Sequence, residues 1–146
     1  MRRWSRAVDR LLIREMHHWG IPVLRLALGL VFLWFGALKL AGVSPVVKLI
    51  SQTYSFFPQP AFIKVLGLWE VIIGLGLILR LGLRPTLILL WLQLAGTFIA
   101  VALAPSMFYS SGNPLLLTLE GEFVAKNLVL IAASIVIGGY ELSRQR

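Results

Sequence analysis

Pro85-Thr-Leu-Ile-Leu-Leu-Trp-Leu-Gln-Leu-Ala-Gly-Thr-Phe-Ile-Ala-Val-Ala-Leu-Ala104 is a run of 20 residues without a charged side chain. A helix needs about 20 such residues to cross ~30 Å of hydrocarbon. Backbone N–H and C=O groups in lipid must be bonded within the segment, so the run reads as a transmembrane helix. Three more runs flank it, at 21–41, 62–79 and 123–139. The first carries Arg25 and Lys39, the second Lys64 and Glu70, and the last only Lys126. Pro45, Pro58, Pro60, Pro105 and Pro114 fall between the runs. Pro85 opens the third, where a missing N–H costs nothing. The expected fold is all-α, an integral membrane four-helix bundle over residues 20–141, followed by a basic tail at 142–146.

Composition agrees. Apolar residues make up 58% and charged residues 14% of the 146-residue chain, against roughly 25% charged in a soluble domain. A soluble domain of this size has too little interior to hide so much apolar side chain. The net charge of +8 sits at the chain ends and in one short turn. That placement points to membrane orientation and anionic lipid, not to nucleic acid. With no cysteine in the chain, disulfides and Cys-ligated clusters within it are excluded. The first apolar run begins only after 20 residues and is too long for a signal h-region, so it is expected to remain as a span.

Arg2, Arg3, Arg6, Arg10 and Arg14 precede the first span, Arg80 and Arg84 join the second to the third, and Arg144 and Arg146 follow the fourth. The connection 42–61 has only Lys48, and 105–122 has no Lys or Arg. The positive-inside rule then places both termini and the Arg80–Arg84 turn in the cytoplasm of a bacterial-type plasma membrane.

Residues 1–19 have their own pattern. Trp4, Val8, Leu11, Leu12, Met16 and Trp19 recur at helical spacing among arginines. This predicts a basic amphipathic helix on the cytoplasmic leaflet, with a docking surface for a partner as the alternative. His17 and His18 have no imidazole in any span to complete a haem site. In 42–61, Ser44-Pro45 predicts the start of a short outer interfacial helix, with Tyr54, Phe56 and Phe57 at headgroup depth. Pro114-Leu-Leu-Leu-Thr-Leu119 is too short to cross and reads as a re-entrant or interfacial piece.

Small residues and charges share stripes. Arg25, Gly29, Phe32, Gly36 and Lys39 follow steps of four, three, four and three, which places them on one helix face. Gly67, Glu70, Gly74 and Leu77 repeat the device in the second span. Gln93, Gly96, Ala100 and Leu103 form the stripe expected in the third, and Glu122, Lys126, Val129 and Ala133 that in the fourth. Small residues at such spacing let helix backbones approach closely in lipid. At ~1.5 Å per residue, Glu70 lies ~12 Å below the outer end of its span, with Thr97 near the same level. Arg25 and Gln93 are expected lower. An ionised carboxylate at that depth has to be paired, and Lys39 or Lys126 is the expected partner. The candidate polar network is Glu70, Lys39, Lys126 and Arg25. It reads either as a lock on the bundle, as a quinone, proton or substrate site, or as a subunit-docking feature. Gln93, Thr97, Trp69 and Asn127 are candidates to hold a ligand. Phe32, Trp34, Phe35, Trp69 and Trp91 would suit the walls around a quinone head. No metal-ligand cluster, P-loop or dinucleotide fingerprint is present, so no motif-bound cofactor is expected.

Arg25-Leu-Ala-Leu-Gly-Leu-Val-Phe-Leu-Trp-Phe-Gly-Ala-Leu-Lys39 resembles the first helix of the DoxX-like family. Gly67-Leu-Trp-Glu-Val-Ile-Ile-Gly74 is similar to its second, and Gly121-Glu-Phe-Val-Ala-Lys-Asn127 to the opening of its fourth. The connection through Ala104-Pro-Ser and Gly112-Asn-Pro114 resembles the subgroup that includes reactive-chlorine resistance membrane proteins. That subgroup has Lys-Asp where this chain has Lys126-Asn127, so an acid at that rim is not expected here. The resemblance covers about residues 21–139. It implies a four-helix membrane bundle, in some members a subunit tied to quinone reduction and in others a companion of oxidative-stress defence. Three functions follow as expectations: a quinone-associated subunit of a membrane oxidoreductase, a non-catalytic accessory or assembly subunit, and an oligomeric transporter or channel. The first two imply other membrane subunits as partners.

Overall fold

The computed structural model describes residues 2–144, with side chains from Val8 onward. Four helices are long and apolar enough to cross a membrane. The first, α1, runs Arg2–Leu40. The short α2 (Val47–Thr53) follows, then α3 (Gln59–Leu79) and α4 (Leu83–Leu103). After α4 come α5 (Pro105–Phe108), a 3-10 turn at Ser110–Gly112, α6 (Leu119–Ala125) and α7 (Asn127–Ser143). The fourth span is α6 and α7 together, Leu119–Ser143, parted only by a local irregularity at Lys126. Helix α1 packs on α3 and α7, and α4 packs on the same two. The result is an up-down-up-down bundle.

The closest approach is α1 on α3, and glycine makes it possible. A Cβ on Gly36 would lie 2.6 Å from the Gly67 carbonyl, and one on Gly74 would lie 2.5 Å from the Leu33 nitrogen. The glycines at both stripe positions of each helix therefore face the partner backbone, as the sequence spacing predicts. Below this contact, Leu28, Phe32, Ile73, Leu77, Leu87, Leu90, Leu94 and Ile137 form the buried core.

Residues 2–19 do not form a helix separate from the first span. Helix α1 is continuous through Gly20 and Pro22 for 39 residues, about 58 Å at 1.5 Å per residue. Proline at 22 removes one backbone donor without ending the helix. Val8 to Gly20 are all exposed, so this described stretch of α1 stands clear of the bundle core. The side chains of Trp4, Arg2, Arg3 and Arg6, and all of Arg146, lie outside the described residues. The two helix starts also shift. Pro85 is the third residue of α4, after the Gly82 cap, still inside the turn whose N–H groups lack helical partners. Helix α2 starts after Val46 without a side-chain cap. Ser44 instead accepts a backbone bond from Val47 N (3.2 Å).

Pro114-Leu-Leu-Leu-Thr-Leu119 does not enter the bundle. It closes a loop through the Tyr109–Leu117 bridge, and Leu115 is 89% exposed. Thr118 then caps α6 by accepting from Gly121 N at 3.1 Å. At the other end, α3 stops at Arg80 in the left-handed conformation (φ 57).

Candidate functional site

Glu70 stands on the buried face of α3, directly beside Gly67 and Gly74 in the stripe. Lys39 Nζ donates to its Oε2 at 2.6 Å, and Gln93 Nε2 donates to its Oε1 at 2.8 Å. The three residues come from α1, α3 and α4. Lys39 and Glu70 keep only 5% and 7% of their surface exposed. Ion pairing at such burial holds only when the remaining lone pairs are satisfied as well, and Gln93 satisfies the second carboxylate oxygen. Gln93 therefore belongs to the level of Glu70 and not to the lower half of the bundle. Its position at the middle of α4, together with a side chain long enough to reach sideways, explains the difference.

The centre is the floor of a cavity of about 380 Å³, within the range of small-molecule sites. Leu49, Ile50, Thr53 and Tyr54 from the α2 segment form one wall. Phe62, Leu66 and Trp69 from α3, Gly96, Thr97 and Ala100 from α4, and Phe108 and Phe123 complete it. Gly96 has open space where a Cβ would stand, so it widens the cavity and does not pack a helix. Tyr54 Oη donates to the Gly96 carbonyl at 2.6 Å, tying α2 across to α4. The phenol of a tyrosine already keeps its proton at neutral pH, and burial pushes that of Tyr54 above its ordinary value. Behind the centre, a space of about 60 Å³ is lined by Lys39, Glu70, Gln93, Thr97 and Asn127 among others. It has room and polarity for water.

The proposed ligand-holding residues are therefore brought together: Gln93, Thr97 and Trp69 line the large cavity, and Asn127 joins Gln93 and Thr97 in the smaller one. Thr97 Oγ1 and Trp69 Nε1 are already engaged, donating to Gln93 O (3.1 Å) and Leu89 O (3.0 Å). Lys39 is different. An ammonium has three donors, and the Glu70 bond uses one of them.

Two members of the predicted network stand elsewhere. Lys126 is exposed and meets only Glu122, at 4.0 Å. It cannot share Glu70, because the inward face of the fourth span is Val124, Asn127, Ser134, Ile137 and Glu141. The predicted stripe of Glu122, Lys126, Val129 and Ala133 is one step out of register. Arg25 is buried, but at the far end of the bundle. Its Nε lies 3.4 Å from Glu141 Oε1, and its Nη1 donates to the carbonyls of Leu77 and of Ile78 (3.0 Å for the latter). A guanidinium thus caps the negative end of α3. Arg80 bonds the other Glu141 oxygen. Glu141 was missed because it lies beyond Gly139, where the apolar run ends. The predicted aromatic walls also change. Trp34 is exposed, Phe32 and Phe35 line the smaller space behind the centre and not the large cavity, and Trp91 donates to Ser134 Oγ (2.8 Å) away from the cavity. Tyr54, Phe62, Phe108 and Phe123 take their place beside Trp69.

The fold and its buried ion pairs define a multi-pass membrane protein of the four-helix-bundle class. Compared with protein-family models, characterised proteins and solved structures, the chain matches none.

Proposed function

We propose that this chain is a DoxX-like protein of a bacterial-type plasma membrane that serves as a quinone-associated small subunit of an oxidoreductase or oxidative-stress system. One observation carries the reading: an apolar, aromatic-walled cavity of about 380 Å³ ends on a polar floor of Lys39, Glu70 and Gln93. A quinone has the matching parts, a flat apolar ring and carbonyl oxygens for the unused Lys39 donors. Both termini and the Arg80–Arg84 turn are assigned to the cytoplasm by the positive-inside rule, with anionic lipid at that face.

The test is purification in mild detergent followed by solvent extraction and mass analysis for quinone. In a variant that keeps Trp69 as the single tryptophan of the five, added short-chain quinone should also quench its fluorescence, and Gln93→Leu should weaken that quenching. A chain that neither carries quinone nor shows Trp69 quenching would remove the reading.

The accessory or assembly role is the second reading, and the free half of α1 favours it. Val8, Leu11, Leu12, Met16 and Trp19 are exposed there beside Arg10 and Arg14. Co-purifying subunits without quinone would select it. A solitary channel is disfavoured by the apolar core that fills the bundle below Glu70.

A further inference from the structure

The two charged centres lie at opposite ends of the bundle. Lys39 and Arg25 share one face of α1 but are fourteen residues apart, about 21 Å. Between them, Leu28, Phe32, Ile73, Leu77, Leu90 and Ile137 are each no more than 5% exposed. Burying a charge among such side chains without a partner is prohibitive, and none of these side chains carries a polar group that could pass one along. On the other side the situation reverses. The Lys39–Glu70–Gln93 centre opens into the cavity walled by α2, and α2 is attached to its surroundings by few polar contacts. The Tyr54–Gly96 bond is one, and a 3.8 Å contact from Thr53 Oγ1 to Met107 Sδ is another. A second hollow of about 400 Å³ lies against α2 and shares Val46, Leu49 and Phe123 with the first.

We infer that the Lys39–Glu70–Gln93 centre is a one-sided binding site: an oxygen-bearing headgroup reaches it from the face that carries α2, past Tyr54, and nothing reaches it from the Arg80–Arg84 face. The two free N–H groups of Lys39 call for a ligand with oxygen acceptors. The apolar walls call for a body that also dissolves in lipid. Protons exchanged with the bound headgroup come and go on the α2 face. The inference rests on reading this cavity as a ligand site, but not on the ligand being a quinone.

The chain has no cysteine, so single-cysteine variants report accessibility without background. Thr97→Cys places the thiol in the cavity, Leu115→Cys marks the α2 face and Arg84→Cys marks the opposite one. The full-length protein is placed in sealed vesicles, and a membrane-impermeant methanethiosulfonate bearing a sulfonate is added from one side at a time. The expected result is that Thr97→Cys reacts from the side that labels Leu115→Cys and is silent from the side that labels Arg84→Cys. Adding Tyr54→Phe should speed the Thr97→Cys reaction from the α2 side and leave Leu115→Cys unchanged. Reaction from both sides would overturn the inference, because it requires a path through the core. Reaction from neither side, or only from the Arg84 side, would overturn it as well. Absence of extractable quinone would defeat the quinone reading and leave these labelling results standing.

Discussion

At the scale of single residues, the decisive pair is Lys39 and Glu70. Both are nearly fully buried and 2.6 Å apart. Removing one partner leaves the other as an uncompensated charge, which costs roughly 3–5 kcal/mol, whereas replacing both by apolar groups of similar size is often close to neutral. Lys39→Met and Glu70→Leu should therefore each lower stability strongly, and the double variant should recover most of the loss. Reversible unfolding in detergent, run as a double-mutant cycle, measures this directly. Additive losses would mean that the two side chains do not depend on each other. The cycle also bears on the proposed function: if the parent chain carries quinone, a double variant that folds well but carries none separates the ligand site from the lock on the bundle.

At the scale of elements, the α1–α3 contact governs assembly. Gly36→Ala would force a methyl against the Gly67 carbonyl and against Val71, and overpacking of this kind costs about 1–3 kcal/mol. Gly139→Ala adds the same methyl where nothing lies within 4 Å, so it should be neutral or slightly stabilising through helix propensity. Unfolding midpoints of the two variants check the contrast, and equal effects would contradict the close crossing. This contact was legible in the sequence because glycine and charge coincide at seven-residue spacing in both helices. The fourth span was less legible. It is apolar on nearly all sides, so its charges at Glu122 and Lys126 were the only marks of a stripe. Those charges lie at its outer end, where an exposed side chain reaches water from any face. Of the true inward marks, Asn127 stood out in the sequence as a candidate to hold a ligand but off the expected stripe, and Ser134 is a small polar group that a hydropathy pattern barely registers. The reach of α1 was hidden for a related reason. The change from a basic amphipathic pattern to an apolar run reads as a boundary, but a helix can continue across it, and one in or near a bilayer tolerates the Gly20 and Pro22 that fall there.

At the scale of the whole molecule, two polar clamps hold the bundle, one at each end, with an apolar layer between them. Near the α2 face, Lys39, Glu70 and Gln93 join α1, α3 and α4. At the other end, Glu141 joins α7 to α1 through Arg25 and to the α3–α4 turn through Arg80. Each clamp thus reaches an element that the other leaves out, which makes the closure of the ring depend on both. Sequence spacing found Glu70 and offered Lys39 beside Lys126 as its partner, because these charges stand out in or beside apolar runs, but it set Gln93 too low to join them. It found only half of the second, since Glu141 follows the run and looks like part of a polar tail. The arms of Glu141 also differ in environment. Arg25 is buried, whereas the Arg80 side chain is 54% exposed and screened by water. Exposed pairs contribute under about 1 kcal/mol, whereas breaking a buried ion pair costs roughly 3–5 kcal/mol. Glu141→Gln should therefore destabilise the bundle clearly, and Arg80→Gln only slightly, as read from unfolding in detergent. Limited proteolysis sharpens the comparison. Glu141→Gln should release α7 first and open its backbone within Asn127–Ser143 to a protease of broad specificity, while the α1–α3 pair stays protected by its glycine contact. Simultaneous loss of all four helices would instead show that the ring closes through its apolar layer, with the Glu141 clamp as a passenger.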